Sequence, residues 1–163
     1  MSKTEKLQSA LQFATEKHKG QMRIGGDEYI THPIAVCEIV KEQGYGEDYQ
    51  IAALFHDLLE DTDATEMDIL QYGNPEILTA VKLLTKQKGY DMAQYIAEIK
   101  NNEIAFVVKG ADRLHNLRCA LVAGENFKRK YVAETLNWYL DFSPEIKTAV
   151  KILADSLETP IQE

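Results

Sequence analysis

The sequence predicts an all-α fold in a single domain spanning residues 1–163. Apolar residues recur at helical spacing along nearly the whole chain. Strand-like alternation is weak, its best stretch being the short run Glu28-Tyr29-Ile30-Thr31. Helix start and stop residues punctuate the periodic runs. A chain of 163 residues, 45% hydrophobic and 27% charged, suits one folded domain with a substantial core.

The elements follow in order. Leu7, Ala10, Leu11 and Ala14, with Phe13 beside them, mark a first helix. Pro33 opens a second at its first turn, with Ile34, Val36, Ile39 and Val40 on its apolar side. Gln43-Gly44-Tyr45-Gly46 stops it, and a third helix runs from about Asp48 through Asp61. Thr65-Glu66-Met67-Asp68 is a capping pattern that starts the next. Gly73-Asn74-Pro75 breaks the chain, and Ile77, Leu78, Val81 and Leu84 restart the period. A shorter helix spans Tyr90 to Ile99 and ends at Asn101-Asn102. A long one spans Glu103 to Val122, with Val107, Val108, Ala111, Leu114 and Leu117 inward and Gly124 beyond its end. Phe127 to Phe142 follows. Ser143-Pro144-Glu145 then opens a last helix carrying Ile146, Ala149, Val150, Leu153 and Leu157.

Composition narrows the function. Lys and Arg total 18 against 26 Asp and Glu, a formal charge of −8, which argues against nucleic acid or an anionic membrane as partner. No run approaches the roughly 18 apolar residues of a membrane span, and the N-terminus has no apolar signal core. Cys37 and Cys119 lie far apart with no CxxC pair. The expectation is a soluble cytoplasmic protein. Oligomeric state leaves no sequence signal.

The densest chemistry lies in Ala52-Ala53-Leu54-Phe55-His56-Asp57-Leu58-Leu59-Glu60-Asp61-Thr62. On a helix, His56, Asp57, Glu60 and Asp61 fall within an arc of about 140°, while the apolar residues fill much of the remainder. A helix end with a solvated acidic patch is the plain alternative. Acids near a helix C-terminus oppose its dipole, and clustered carboxylates repel unless a cation or bound protons relieve them. His32, in Tyr29-Ile30-Thr31-His32-Pro33, sits at the mouth of a helix. Asp112 lies inside an apolar helix, one turn from Asn116, and needs a compensating partner: Arg113, Arg118 or a metal.

These residues also carry a resemblance. His32, the His56-Asp57 doublet and Asp112 are similar in order and spacing to the H…HD…D ligand set of the HD-domain phosphohydrolases. Ala14 to Arg23 resembles the A…H-x-G-Q-x-R motif of the RelA/SpoT hydrolase domain, and Tyr29 to Pro33 resembles its Y-I-x-H-P. Ala52 to Thr62 resembles A-A-L-x-H-D-x-x-E-D-T, and Val108 to Leu117 resembles V-K-x-A-D-R-L-H-N. Ala133-Glu134-Thr135-Leu136-Asn137-Trp138-Tyr139 resembles E-T-L…Y. Five motifs in one order cover roughly residues 10 to 140. The chain resembles the hydrolase domain alone, as in the stand-alone small alarmone hydrolases and the metazoan SpoT homologues.

The resemblance implies a compact helical hydrolase fold and removal of the 3′-pyrophosphate from guanosine 3′,5′-polyphosphates, (p)ppGpp. It implies a divalent metal, typically Mn²⁺, on His32, His56, Asp57 and Asp112. It implies Glu60 and Asp61 near the attacking water, with Glu60 as general base or water orienter and Asp61 assisting, and leaves open which of the two takes the proton. It also implies nucleotide contacts from Arg23 and Tyr139, and from Asn116, which would bind substrate or support Asp112. His18 and His115 read as structural, and Lys86 and Lys109 as surface lysines. Departures occur around the base and phosphate rim. Ile24 stands where a lysine is common, Gly25-Gly26 where Ser-Gly is common, and Leu140-Asp141-Phe142-Ser143-Pro144 replaces P-L-A-x-R-L-G. The alternatives left open are another nucleotide, (p)ppApp or the 2′-phosphate of NADPH, and a non-catalytic nucleotide-binding domain.

Overall fold

The structure, a computed structural model, describes residues 3–23 and 25–158; the Ile24 departure lies outside the described residues. Ten α-helices are assigned among them: α1 Lys3–Lys17, α2 Thr31–Glu42, α3 Glu47–Phe55, α4 Leu58–Asp61, α5 Glu66–Tyr72, α6 Pro75–Leu84, α7 Met92–Lys100, α8 Glu103–Cys119, α9 Glu125–Glu134 and α10 Pro144–Glu158. The all-α expectation holds. The Glu28–Thr31 stretch forms no strand. It gives one antiparallel bridge, Met22 to Glu28, before α2 begins at Thr31, two residues ahead of the Pro33 start read from the sequence.

Local chemistry sets several boundaries. Thr65 and Asp68 make a reciprocal capping box: Thr65 Oγ1 accepts from Asp68 N at 3.1 Å, and Asp68 Oδ2 accepts from Thr65 N at 3.0 Å. Asn74 caps α6 by accepting from Ile77 N at 2.8 Å, and Pro75 occupies the first helical position. Asp91 caps α7 through Gln94 N at 2.9 Å. Gly44 adopts φ +92° after α2, a left-handed conformation that side chains disfavour.

Contacts divide the chain into two compact units, the first running through Lys109 and the second starting at Gly110, so the division falls within α8. In the first unit α3 is the central element, packed on α1, α2 and α6. Its run Ile51-Ala52-Ala53-Leu54-Phe55 is wholly buried, which explains an apolar stretch too continuous for a surface helix. Phe13 of α1 packs edge-on to Phe55 and stacks on Tyr72.

In the second unit α9 and α10 pack together, with Ile146, Val150 and Leu153 buried on the inner face of α10. Two departures from regular helix occur here. α8 tightens into a 3₁₀ turn over Ala120–Val122, and α9 continues into a π-helical turn over Thr135–Tyr139 rather than running as one α-helix to Phe142. Arg113 sits against the widened turn. Its guanidinium lies 4.1 Å from the ring centroids of both Tyr131 and Tyr139, and its Nη2 bonds Glu134 Oε1 at 2.6 Å. The widened turn coincides with this clamp of two rings and a carboxylate on one buried cation.

Candidate metal centre

The continuous helix read from Asp48 to Asp61 is interrupted at the His56-Asp57 doublet, between α3 and α4. His56 Nδ1–H donates to Ala53 O at 2.6 Å, while the His56 backbone N–H reaches the same carbonyl only at 3.5 Å. The side chain thus takes the carbonyl that the helix would use, and the ladder lapses for two residues. The α4 turn then resumes, with Asp61 N bonded to Asp57 O at 2.9 Å.

This break aims the doublet at α2. His32, His56 and Asp57 each offer a ligand atom, all within 4.8 Å of one another. The His32 and His56 ring centroids are 5.4 Å apart at 68°. Both histidines are buried and Asp57 is half-buried. The donor set fits a divalent cation. A carbonyl only accepts, so His56 Nδ1 carries a proton, which leaves Nε2 as the atom the ring would offer a metal. His56 Nε2 lies 3.2 Å from Asp57 Oδ2, which also accepts from Tyr29 Oη at 2.5 Å. Two acceptors that close repel unless a cation or a proton lies between them.

Glu60 and Asp61 stand on α4, both exposed. Glu60 Oε1 accepts from the Lys86 backbone N–H at 2.9 Å, which ties the loop after α6 to this turn. Although Asp61 as a whole is exposed, partial desolvation of its carboxyl, with the charges of Asp57 and Glu60, pushes that carboxyl up to about 6, while His56 opposes the shift. Lys86 Nζ lies 5.4 Å from the Tyr90 ring centroid and 5.6 Å from that of Tyr95, and Lys109 Nζ lies 5.9 Å from Tyr95. These two lysines therefore flank one buried ring rather than standing free on the surface.

Arg23 opens a tight turn: its N–H donates to Asp27 O at 2.7 Å, and Gly26 takes φ +96° within it. In the second unit, Asp112 is buried, and Asn116 Nδ2 donates weakly to its Oδ1 at 3.4 Å. Arg113, one of the partners considered for Asp112, is committed to Glu134, and Arg118 is exposed. Tyr139 is fully buried beside Arg113 and Phe142, so contact with a dissolved nucleotide requires that packing to open.

Sequence reasoning gave no role to Tyr29 or Gln21, although both fall in the quoted motifs. Gln21 Nε2 donates to Asp61 O at 2.8 Å and its Oε1 accepts from His18 Nδ1 at 2.8 Å, so His18 and Gln21 brace the end of α4. His18 Nε2 is buried without a hydrogen-bond partner among the described residues, and burial draws the ring's pKa down.

Comparison with known proteins places these features in context. The family model described as HD domain matches residues 10–143. The GTP pyrophosphokinase rsh of Brucella melitensis biotype 1 is 35% identical over 144 residues, covering 82% of this chain and 19% of that protein. The bifunctional (p)ppGpp synthase/hydrolase SpoT of Escherichia coli K12 is 35% identical over 146 residues, covering 83% of this chain and 21% of that protein. The chain thus spans about a fifth of the length of these curated relatives. Among solved structures, a metazoan ortholog of SpoT, described as hydrolyzing ppGpp, superimposes with a TM-score of 0.76 at 24% identity, covering 92% of this chain and 94% of that one. That likeness establishes the fold.

Proposed function

The chain belongs to the HD domain family, and from that premise we propose that it is a metal-dependent phosphohydrolase that removes the 3′-pyrophosphate of (p)ppGpp, releasing GDP or GTP and pyrophosphate. The observation that carries the reading is the convergence of His32, His56 and Asp57, with His56 Nε2 3.2 Å from a carboxylate oxygen. Similarity to proteins described as (p)ppGpp hydrolases supports the choice of substrate. The enzyme acts in the cytoplasm on a small nucleotide, with neither nucleic acid nor membrane as partner. Among the described residues no helix is long and apolar enough to cross a membrane.

In this reading His32, His56, Asp57 and Asp112 hold Mn²⁺, a metal suited to mixed imidazole and carboxylate ligands. The bound cation would lower the pKa of water and offset charge on the phosphoryl oxygens. Glu60 and Asp61 supply the proton acceptor one turn beyond Asp57. Glu60 is the better oriented, because the Lys86 N–H pins one of its oxygens. Asp61, drawn up to about 6, holds or yields a proton near neutral pH. Arg23 stacks on the base through its planar guanidinium. Asn116 contacts the nucleotide, joined by Tyr139 when its packing opens.

The test is a panel of ppGpp, pppGpp, ppApp and NADPH with purified protein and Mn²⁺, following pyrophosphate and phosphate release. Pyrophosphate from the guanosine substrates is the expected result. Phosphate release from NADPH alone would overturn the reading. Bound Mn²⁺ without turnover of any substrate would make the chain a nucleotide-binding domain.

A further inference from the structure

We propose that Tyr29 is a positioning residue of the metal centre, holding the Asp57 carboxylate in the orientation that accepts a cation. The inference rests on the metal-centre reading above and extends it to a residue outside the ligand set. Tyr29 Oη donates to Asp57 Oδ2 at 2.5 Å, the short, charge-assisted geometry of a phenol on a carboxylate. Asp57 needs such a hold. Its side chain is 21% exposed and follows a lapse in the helix, whereas the His56 side chain is 4% exposed and anchored on Ala53 O.

Tyr29 is itself fixed at both ends. Its backbone N–H donates to Gln21 O at 2.8 Å, in the bridge between Met22 and Glu28. Its ring lies 4.9 Å from that of buried His18 and 6.0 Å from that of His32. The phenol therefore arrives pre-oriented, and Asp57 loses its rotational freedom before any metal binds. Such outer partners typically contribute about 10–100-fold in metal affinity.

Tyr29→Phe removes the donor and keeps the ring that packs on His18 and His32. The readouts are the dissociation constant for Mn²⁺ alone, from the electron paramagnetic resonance of free Mn²⁺, the line shape of the bound ion, and thermal unfolding by circular dichroism in EDTA. The expected result is Mn²⁺ binding weakened by about 10–100-fold, a broadened bound spectrum, and a metal-free protein that still folds and melts cooperatively. Unchanged Mn²⁺ affinity would overturn the proposal, and if KM for ppGpp rose alone Tyr29 would be a substrate contact instead. A Phe variant that no longer folds in EDTA would also overturn it, by making Tyr29 a core residue. Failure of the wild-type protein to bind Mn²⁺, with His56→Ala as control, would remove the metal centre itself and is thereby distinguished.

Discussion

Replacing Asp61 by asparagine in the metal-free protein should reveal how strongly the carboxylates of the α4 turn strain one another. The folded Asp61 carboxyl titrates at about 6, held up by burial and by Asp57 and Glu60. Between about pH 4 and pH 6 the folded protein keeps a proton that the unfolded chain has lost. Stability therefore falls as pH rises through that window and stays lower above it. Each pH unit of displacement corresponds to about 1.4 kcal/mol, so the ceiling is about 3 kcal/mol. Asp61 is exposed, and solvent screening reduces this to about 1 kcal/mol. Asparagine resembles the neutral acid and escapes the loss. With an urea m-value of about 2 kcal/mol/M, the midpoint of Asp61→Asn should exceed wild type by about 0.5 M at pH 7. The two proteins should converge near pH 4. The assay is urea unfolding followed by circular dichroism in EDTA across that range. Saturating Mn²⁺ should erase the wild-type deficit by neutralising the cluster. A difference that does not grow with pH, or that favours wild type at pH 7, would refute the reasoning.

Other substitutions probe separate parts of the chain. Asp57→Ala should abolish Mn²⁺ binding and turnover together, measured by calorimetry and pyrophosphate release. Glu60→Gln should keep the metal and lose about 10²–10⁴-fold in kcat, because its amide oxygen still accepts from the Lys86 N–H and leaves the loop in place; a full-speed variant would remove Glu60 from the chemistry. Arg113→Met should cost about 3 kcal/mol in urea unfolding, since a buried cation stacked on Tyr131 and Tyr139 and bonded to Glu134 is lost.

The candidate site was legible to different depths. His56 and Asp57 were readable because an imidazole and acids embedded in apolar helix demand a reason, whereas His32 at a helix mouth was picked out by the resemblance alone; the structure brings those three together. Asp112 was readable as a buried acid, and it is buried. The roles of Glu60 and Asp61 were not separable from spacing. One acid is tied to a loop 26 residues away and the other is shifted by its neighbours. His18, read as structural, braces α4 through a glutamine that belonged to a quoted motif but had been given no role.

By itself the sequence determined the helical class, most of the helix boundaries and the chemistry of the doublet. Those depend on interactions across three or four residues: the period of apolar positions, the Thr65 and Asn74 caps, and the turn at Gly44. Tertiary structure decided the rest. The helix breaks at His56, where an imidazole competes for the Ala53 carbonyl, and the π turn lies where two rings stack on Arg113. Tyr29 reaches Asp57 across 28 residues, and Gln21 reaches Asp61 across 40. Pairings at such separations impose no period on the chain between them, so only the packed molecule shows which donor meets which carboxylate.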